Sequence, residues 1–109
     1  MGGQVPDAAD FSDRMAELQK MRVALVILTS QETSKLLSRR QRVAGKEIEV
    51  MCAERDLDAA GDGDRTVLDA LYRADAILRQ ALHETEQDIE RMEGLMVKVN
   101  ADIAALCQA

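Results

Sequence analysis

The residues nearest to a chemical motif lie in the middle of the chain, where Asp58, Asp62, Gly63 and Asp69 match the first, fifth, sixth and twelfth positions of a calcium-binding loop. The third position is Ala60, and the twelfth is an aspartate where bidentate ligation wants glutamate. Residues from about Asp64 onward are also needed for a helix, so an acidic capped turn is the expectation and no metal is assigned. His83 is the lone histidine, beside Glu84 and Glu86, with no Glu-x-x-His or Cys-x-x-Cys pattern to supply convergent ligands. Cys52 and Cys107 lack a histidine or cationic neighbour at fixed spacing that would lower a thiol pKa. No glycine-rich phosphate loop is present. The reading is a non-enzyme with no catalytic residue, no metal and no cofactor.

These residues are carried by a pattern that is architectural. Leu68, Leu71, Asp75, Leu78, Leu82, Thr85, Ile89, Met92, Met96, Val99, Ile103 and Leu106 follow one another at alternating intervals of three and four, and only Asp75 and Thr85 among them are polar. Such a heptad seam requires a second helix to cover it. Upstream, Phe11, Met15, Leu18, Met21, Leu25 and Leu28 recur at helical spacing, followed by the less regular Leu36, Leu37, Val43, Ile48, Val50 and Met51. Asp10 or Ser12 can cap this first arm. Between the two runs, Thr29 and Glu32 match a capping box. A continuous helix whose Ser and Thr hydroxyls bond back to carbonyls is preferred there; a break would make a third helix.

Gly61 suits the left-handed position just past a helix end, with Asp62 or Asp64 available to cap the next helix. The expected fold is therefore all-α: residues 1–9 as a flexible tail, then a single antiparallel helical hairpin or coiled coil over 10–109 turning near 58–64, three-helical if the first arm breaks near Thr29. Folding back at Gly61 brings together residues about equally far from the turn. Met51 then falls beside Leu71, Val43 beside Leu78, Leu25 beside Met96 and Leu18 beside Ile103. The basic Arg39, Arg40 and Arg42 lie against Glu84 and Glu86, part of the acidic run that continues through Asp88, Glu90 and Glu93. Lys46 comes level with Asp75 as a register pair, adding little stability but penalising slipped alignments. The two cysteines fall near opposite ends of such a hairpin, which excludes a bridge between them.

Composition narrows the function. The 109 residues are 47% hydrophobic, with Phe11 and Tyr72 as the aromatics, and the 20 acidic against 14 basic residues give a formal charge of −6. That balance opposes nucleic-acid or anionic-membrane binding, since no basic excess exists to neutralise phosphates. The longest apolar run, Val23 to Leu28, is far too short to span a bilayer, and no cleavable leader is visible, so cytoplasmic residence without membrane insertion is expected. The same run goes right round the first helix and lies level with Leu95, Met96, Val97 and Val99. A two-helix hairpin would thus expose Val23, Val26, Ile27, Leu95 and Val97 as an apolar patch, with Gly94 permitting close approach of another backbone. A protein partner or self-association is expected to cover it, as a homodimer or a hetero-complex.

Glu32 followed by Leu36 and Leu37, then Glu47 to Arg55, an acidic break, and a long second helix ending in the amphipathic Met96 to Leu106 give a layout that resembles flagellar export chaperones of the FlgN type and, more loosely, other small type III secretion chaperones and stalk proteins. The resemblance implies a cytoplasmic chaperone that holds an export substrate with the end of its last helix. On this chain the matching positions are Met96, Val99, Ile103 and Leu106. The alternative role is a structural coiled-coil subunit, a stalk or scaffold component that buries its apolar patch against copies of itself.

Overall fold

The computed structural model describes residues 8–61 and 65–108. They form two helices, α1 (Ala8–Ala60, 53 residues) and α2 (Thr66–Gln108, 43 residues), in an all-α antiparallel hairpin. The first helix begins at Ala8, so Asp10 lies in its opening turn, and neither Asp10 nor Ser12 stands before it as a cap. Residues 1–7, which make up most of the expected tail, lie outside the described residues, as do the candidate caps Asp62 and Asp64.

The turn follows from backbone chemistry. Gly61 has φ +76°, a conformation that L side chains avoid, and its N–H donates to the Leu57 carbonyl at 3.1 Å, satisfying a group that the end of α1 would otherwise leave open. On the other side, the Arg65 carbonyl accepts the Asp69 N–H at 2.8 Å as the first turn of α2 forms. Helix α1 is unbroken through Thr29–Ser34, so the three-helix alternative does not arise. Those hydroxyl residues lie inside the helix rather than starting a new one.

The chain divides into two compact units, each a stretch of α1 packed on a stretch of α2. The end unit joins α1 as far as Gln31 with α2 from Ile89 onward. Its centre is Leu18, 1% exposed, and Val99, 4% exposed, flanked by the half-buried Met15, Leu25, Met92, Met96, Ile103 and Leu106. The turn unit runs from Glu32 to Asp88 and buries Val43, Leu68 and Thr85. Every α2 position of the expected seam is buried or half-buried.

Helix α1 departs from expectation. Its covered residues are Met15, Leu18, Leu25, Thr29, Glu32, Leu36, Arg39, Val43, Lys46, Val50, Ala53 and Leu57, spaced by threes and fours apart from one interval of seven after Leu18, and with four polar members. Phe11, Met21, Leu28, Leu37, Ile48 and Met51, all members of the apolar runs read from the sequence, are exposed. The expected packing of Met51 beside Leu71 is therefore corrected. The cause is that α1 carries apolar residues on several faces, and only docking against the regular seam of α2 selects which one turns inward.

Candidate functional site

Three features of the hairpin could act: a polar lock in the turn unit, a carboxylate cluster beside it, and the apolar surface of the end unit. The lock is built from Arg39 and Thr85, both at heptad positions that point between the helices. Thr85 is 0% exposed. Its hydroxyl donates to the Ala81 carbonyl one turn back at 3.0 Å, while the Arg39 guanidinium donates to the Thr85 oxygen and to the same carbonyl at 3.1 Å. The expected placement of Arg39 against Glu84 and Glu86 is not what forms. A guanidinium inside the interface finds neutral acceptors within reach, whereas Glu84 sits on the outer surface and accepts from Gln80 at 3.2 Å.

The register pair Lys46 and Asp75 is also replaced. Lys46 donates to Glu49 at 2.8 Å, and Asp75 accepts instead from Arg79, Nε to Oδ2 at 2.9 Å. Arg79 reaches across to Glu47 with its other nitrogen at 2.5 Å, so one planar fork ties both helices together. These two carboxylates hold the Arg79 pKa above its ordinary value, Asp75 contributing most. The physical reason for the exchange is geometric: the lysine stem carries its ammonium outward to a neighbour on its own helix, while the arginine fork can serve two carboxylates at once. The second carboxylate oxygen of Asp75, Oδ1, is buried with no hydrogen-bond partner. Nearer the turn, the Tyr72 hydroxyl donates to Glu54 across the helices at 2.8 Å, which raises the phenol pKa above 10.0, chiefly through that bond.

His83 is exposed on the outer face, and Cys52 and Cys107 are free and exposed. Among the described residues no cluster of His, Cys, Asp or Glu is arranged to hold a metal ion. Of the calcium-loop positions, Asp58 and Asp69 lie on α1 and α2, and Asp62 and Gly63 fall outside the described residues. No helix among the described residues is long and apolar enough to cross a membrane.

The apolar surface belongs to the end unit. Val23, Val26, Ile27, Leu95 and Val97 are each more than half exposed, and Met21 and Leu28 are nearly so. On α1 the apolar residues from Met21 to Leu28 project in nearly every direction, because six successive positions of a 3.6-residue turn cannot all face one neighbour. Gln19, Arg22, Val23, Val26 and Ile27 line a shallow depression of about 260 Å³ on its outer side. A Cβ added at Gly94 would meet nothing within 4 Å, so the backbone of α2 is open there. The positions named by the chaperone resemblance lie differently: Met96, Val99, Ile103 and Leu106 occupy the seam toward α1, Val99 buried and the other three half-buried. The structure thus separates the nine candidate partner-binding residues into five that are presented and four that line the seam, buried or half-buried.

No protein-family model, no curated protein and no solved structure matches the chain.

Proposed function

We propose that this chain is a non-enzymatic protein-binding module, a small chaperone or adaptor that holds an amphipathic helix of a partner protein against the end unit of the hairpin. The observation that carries the reading is the exposure of Val23, Val26, Ile27, Leu95 and Val97 in a unit whose seam is already filled. Exposed apolar side chains gathered in one unit mark an interface, and a helix with apolar residues at every third and fourth position is a natural occupant. Met21 adds an unbranched, polarizable side chain that can adapt to different apolar partners. An export substrate in the cytoplasm, of the secretion or flagellar kind, is the partner that the chaperone resemblance suggests. The substrate would then lie on Val23, Val26, Ile27, Leu95 and Val97 rather than on Met96, Val99, Ile103 and Leu106.

The test is titration of a labelled amphipathic helical peptide with the full chain and with Ile27→Asp and Val97→Asp. Binding by the wild type, weakened by about tenfold or more in each variant at unchanged helix content, is the expected result. A wild type that ignores the peptide and holds a concentration-independent mass, lost in Ile27→Asp, would instead favour a structural coiled-coil subunit that covers this surface with its own copies.

A further inference from the structure

The outward face of α1 in the turn unit is uncharged where a solvent-facing helix should be most charged. Between Ser34 and Cys52 the charged residues are Lys35, Arg39, Arg40, Arg42, Lys46, Glu47 and Glu49, all at heptad positions that form the seam or flank it. The three positions farthest from α2 carry none. They hold Leu37, Ile48 and Met51, which are 56%, 63% and 61% exposed. Ser34, Gln41 and Ala44 lie in the same line at intervals of three and four, all exposed, and Gly45 runs alongside. A two-helix hairpin in water has no reason to strip charge from this face, because outward heptad positions normally carry it. The glycine sharpens the point: a Cβ at Gly45 would meet nothing within 4 Å, so nothing in the hairpin requires its absence, although mid-helix glycine is unfavourable.

The flanks identify the occupant. Lys35, Arg40 and Arg42 border the N-terminal half of the face, and Glu47, Glu49 and Glu54 border the C-terminal half. Arg40 and Arg42 make no ion pair among the described residues. A strip with basic flanks at one end and acidic flanks at the other is complementary to itself when reversed.

We infer that α1 pairs with α1 of a second copy through this face, antiparallel, to form a homodimer. With the two-fold axis between Gln41 and Ala44, Leu37 of each copy lies over Ile48 of the other, and Ser34 over Met51. Arg40 then meets Glu47 of the second copy on both sides of the axis. Gly45, beside the axis, lets the backbones approach. A parallel pairing would set Arg40 and Glu47 beside the uncharged Gly45 and Cys52 of the second copy, and the charge complementarity would go unused. The inference shares no residue with the end-unit surface assigned to a partner helix, so each stands or falls separately.

The experiment is sedimentation or light scattering over a dilution series of the full chain. Wild type should approach twice the 12.0 kDa chain mass as concentration rises. Leu37→Glu and Ile48→Glu should each raise the dissociation constant by about tenfold or more with helix content unchanged in circular dichroism. Arg40→Glu and Glu47→Arg should each weaken the dimer several-fold, and the double variant should recover it, as only the antiparallel pairing allows. A monomer at every concentration would overturn the inference. So would an oligomer indifferent to Ile48→Glu but broken by Ile27→Asp, which would place self-association at the end unit. A double variant no better than its singles would overturn the antiparallel register.

Discussion

At the scale of single residues, buried polar groups in this hairpin divide by whether they keep a partner when a neighbour is changed. Thr85 serves Arg39 as acceptor and Ala81 as donor. Thr85→Val removes the acceptor and leaves a half-buried guanidinium with the Ala81 carbonyl alone, so it should cost about 1–2 kcal/mol in urea unfolding. Arg39→Met leaves Thr85 still bonded to Ala81 and fills the space with a flexible apolar chain. It should be close to neutral, within about 1 kcal/mol. Equal costs for the two would show that Arg39 does not depend on Thr85. Tyr72 gives a pH effect of known sign. Its pKa is raised in the folded chain by the bond to Glu54, so above pH 10.0 the unfolded chain loses the phenolic proton first. The stabilisation is present below that pH and fades as pH rises through the folded value. Tyr72→Phe should flatten that alkaline part of the stability profile, a difference that thermal melts between pH 9 and 11 can detect.

Among the elements, the two helices were not equally legible. The apolar repeat of α2 is nearly pure, and each of its seam positions is covered in the structure. In α1 the repeat is interrupted by Thr29, Glu32, Arg39 and Lys46, while leucine, isoleucine and methionine sit at positions outside it. The apolar runs of α1 therefore did not mark its inward face: Met51, expected beside Leu71, is exposed, as are Met21, Leu28, Leu37 and Ile48. Asp75 tests how much the polar interruptions matter. Its Oδ1 is buried without a partner, and its Oδ2 is held by Arg79. Asp75→Leu removes an unsatisfied acceptor and adds apolar contact. It also releases Arg79, which keeps Glu47. The melting temperature should hold or rise, because a poorly satisfied buried charge is often matched or bettered by an apolar side chain. A fall of several degrees would show that the Asp75 to Arg79 to Glu47 tie contributes more than the orphaned oxygen costs.

Taken whole, the molecule presents two surfaces of exposed apolar side chains, one in each unit. The presented part of the candidate site was legible in the sequence, because six successive apolar residues from Val23 to Leu28 must leave some uncovered whatever the register. The partition on α2 was legible too, because its regular seam turns Met96 and Val99 toward α1 and leaves Leu95 and Val97 outside it. The outward face at Leu37, Ile48 and Met51 was hidden because the several apolar faces of α1 leave its rotation open, though one signal was present in the composition, the lack of charge at every outward position of α1 between Ser34 and Cys52.

The sequence by itself determined that the chain is helical, that it turns at Gly61 and which residues of α2 face inward. Each of these follows from local chemistry, a repeat of threes and fours and one position that tolerates positive φ. Tertiary structure alone decided the rotation of α1, the exchange of Lys46 for Arg79 as the partner of Asp75, and the burial of Arg39 against Thr85. Those depend on which of several comparable faces meets the partner helix and on which long side chain reaches a given acceptor. Both are set by packing between residues far apart in the chain.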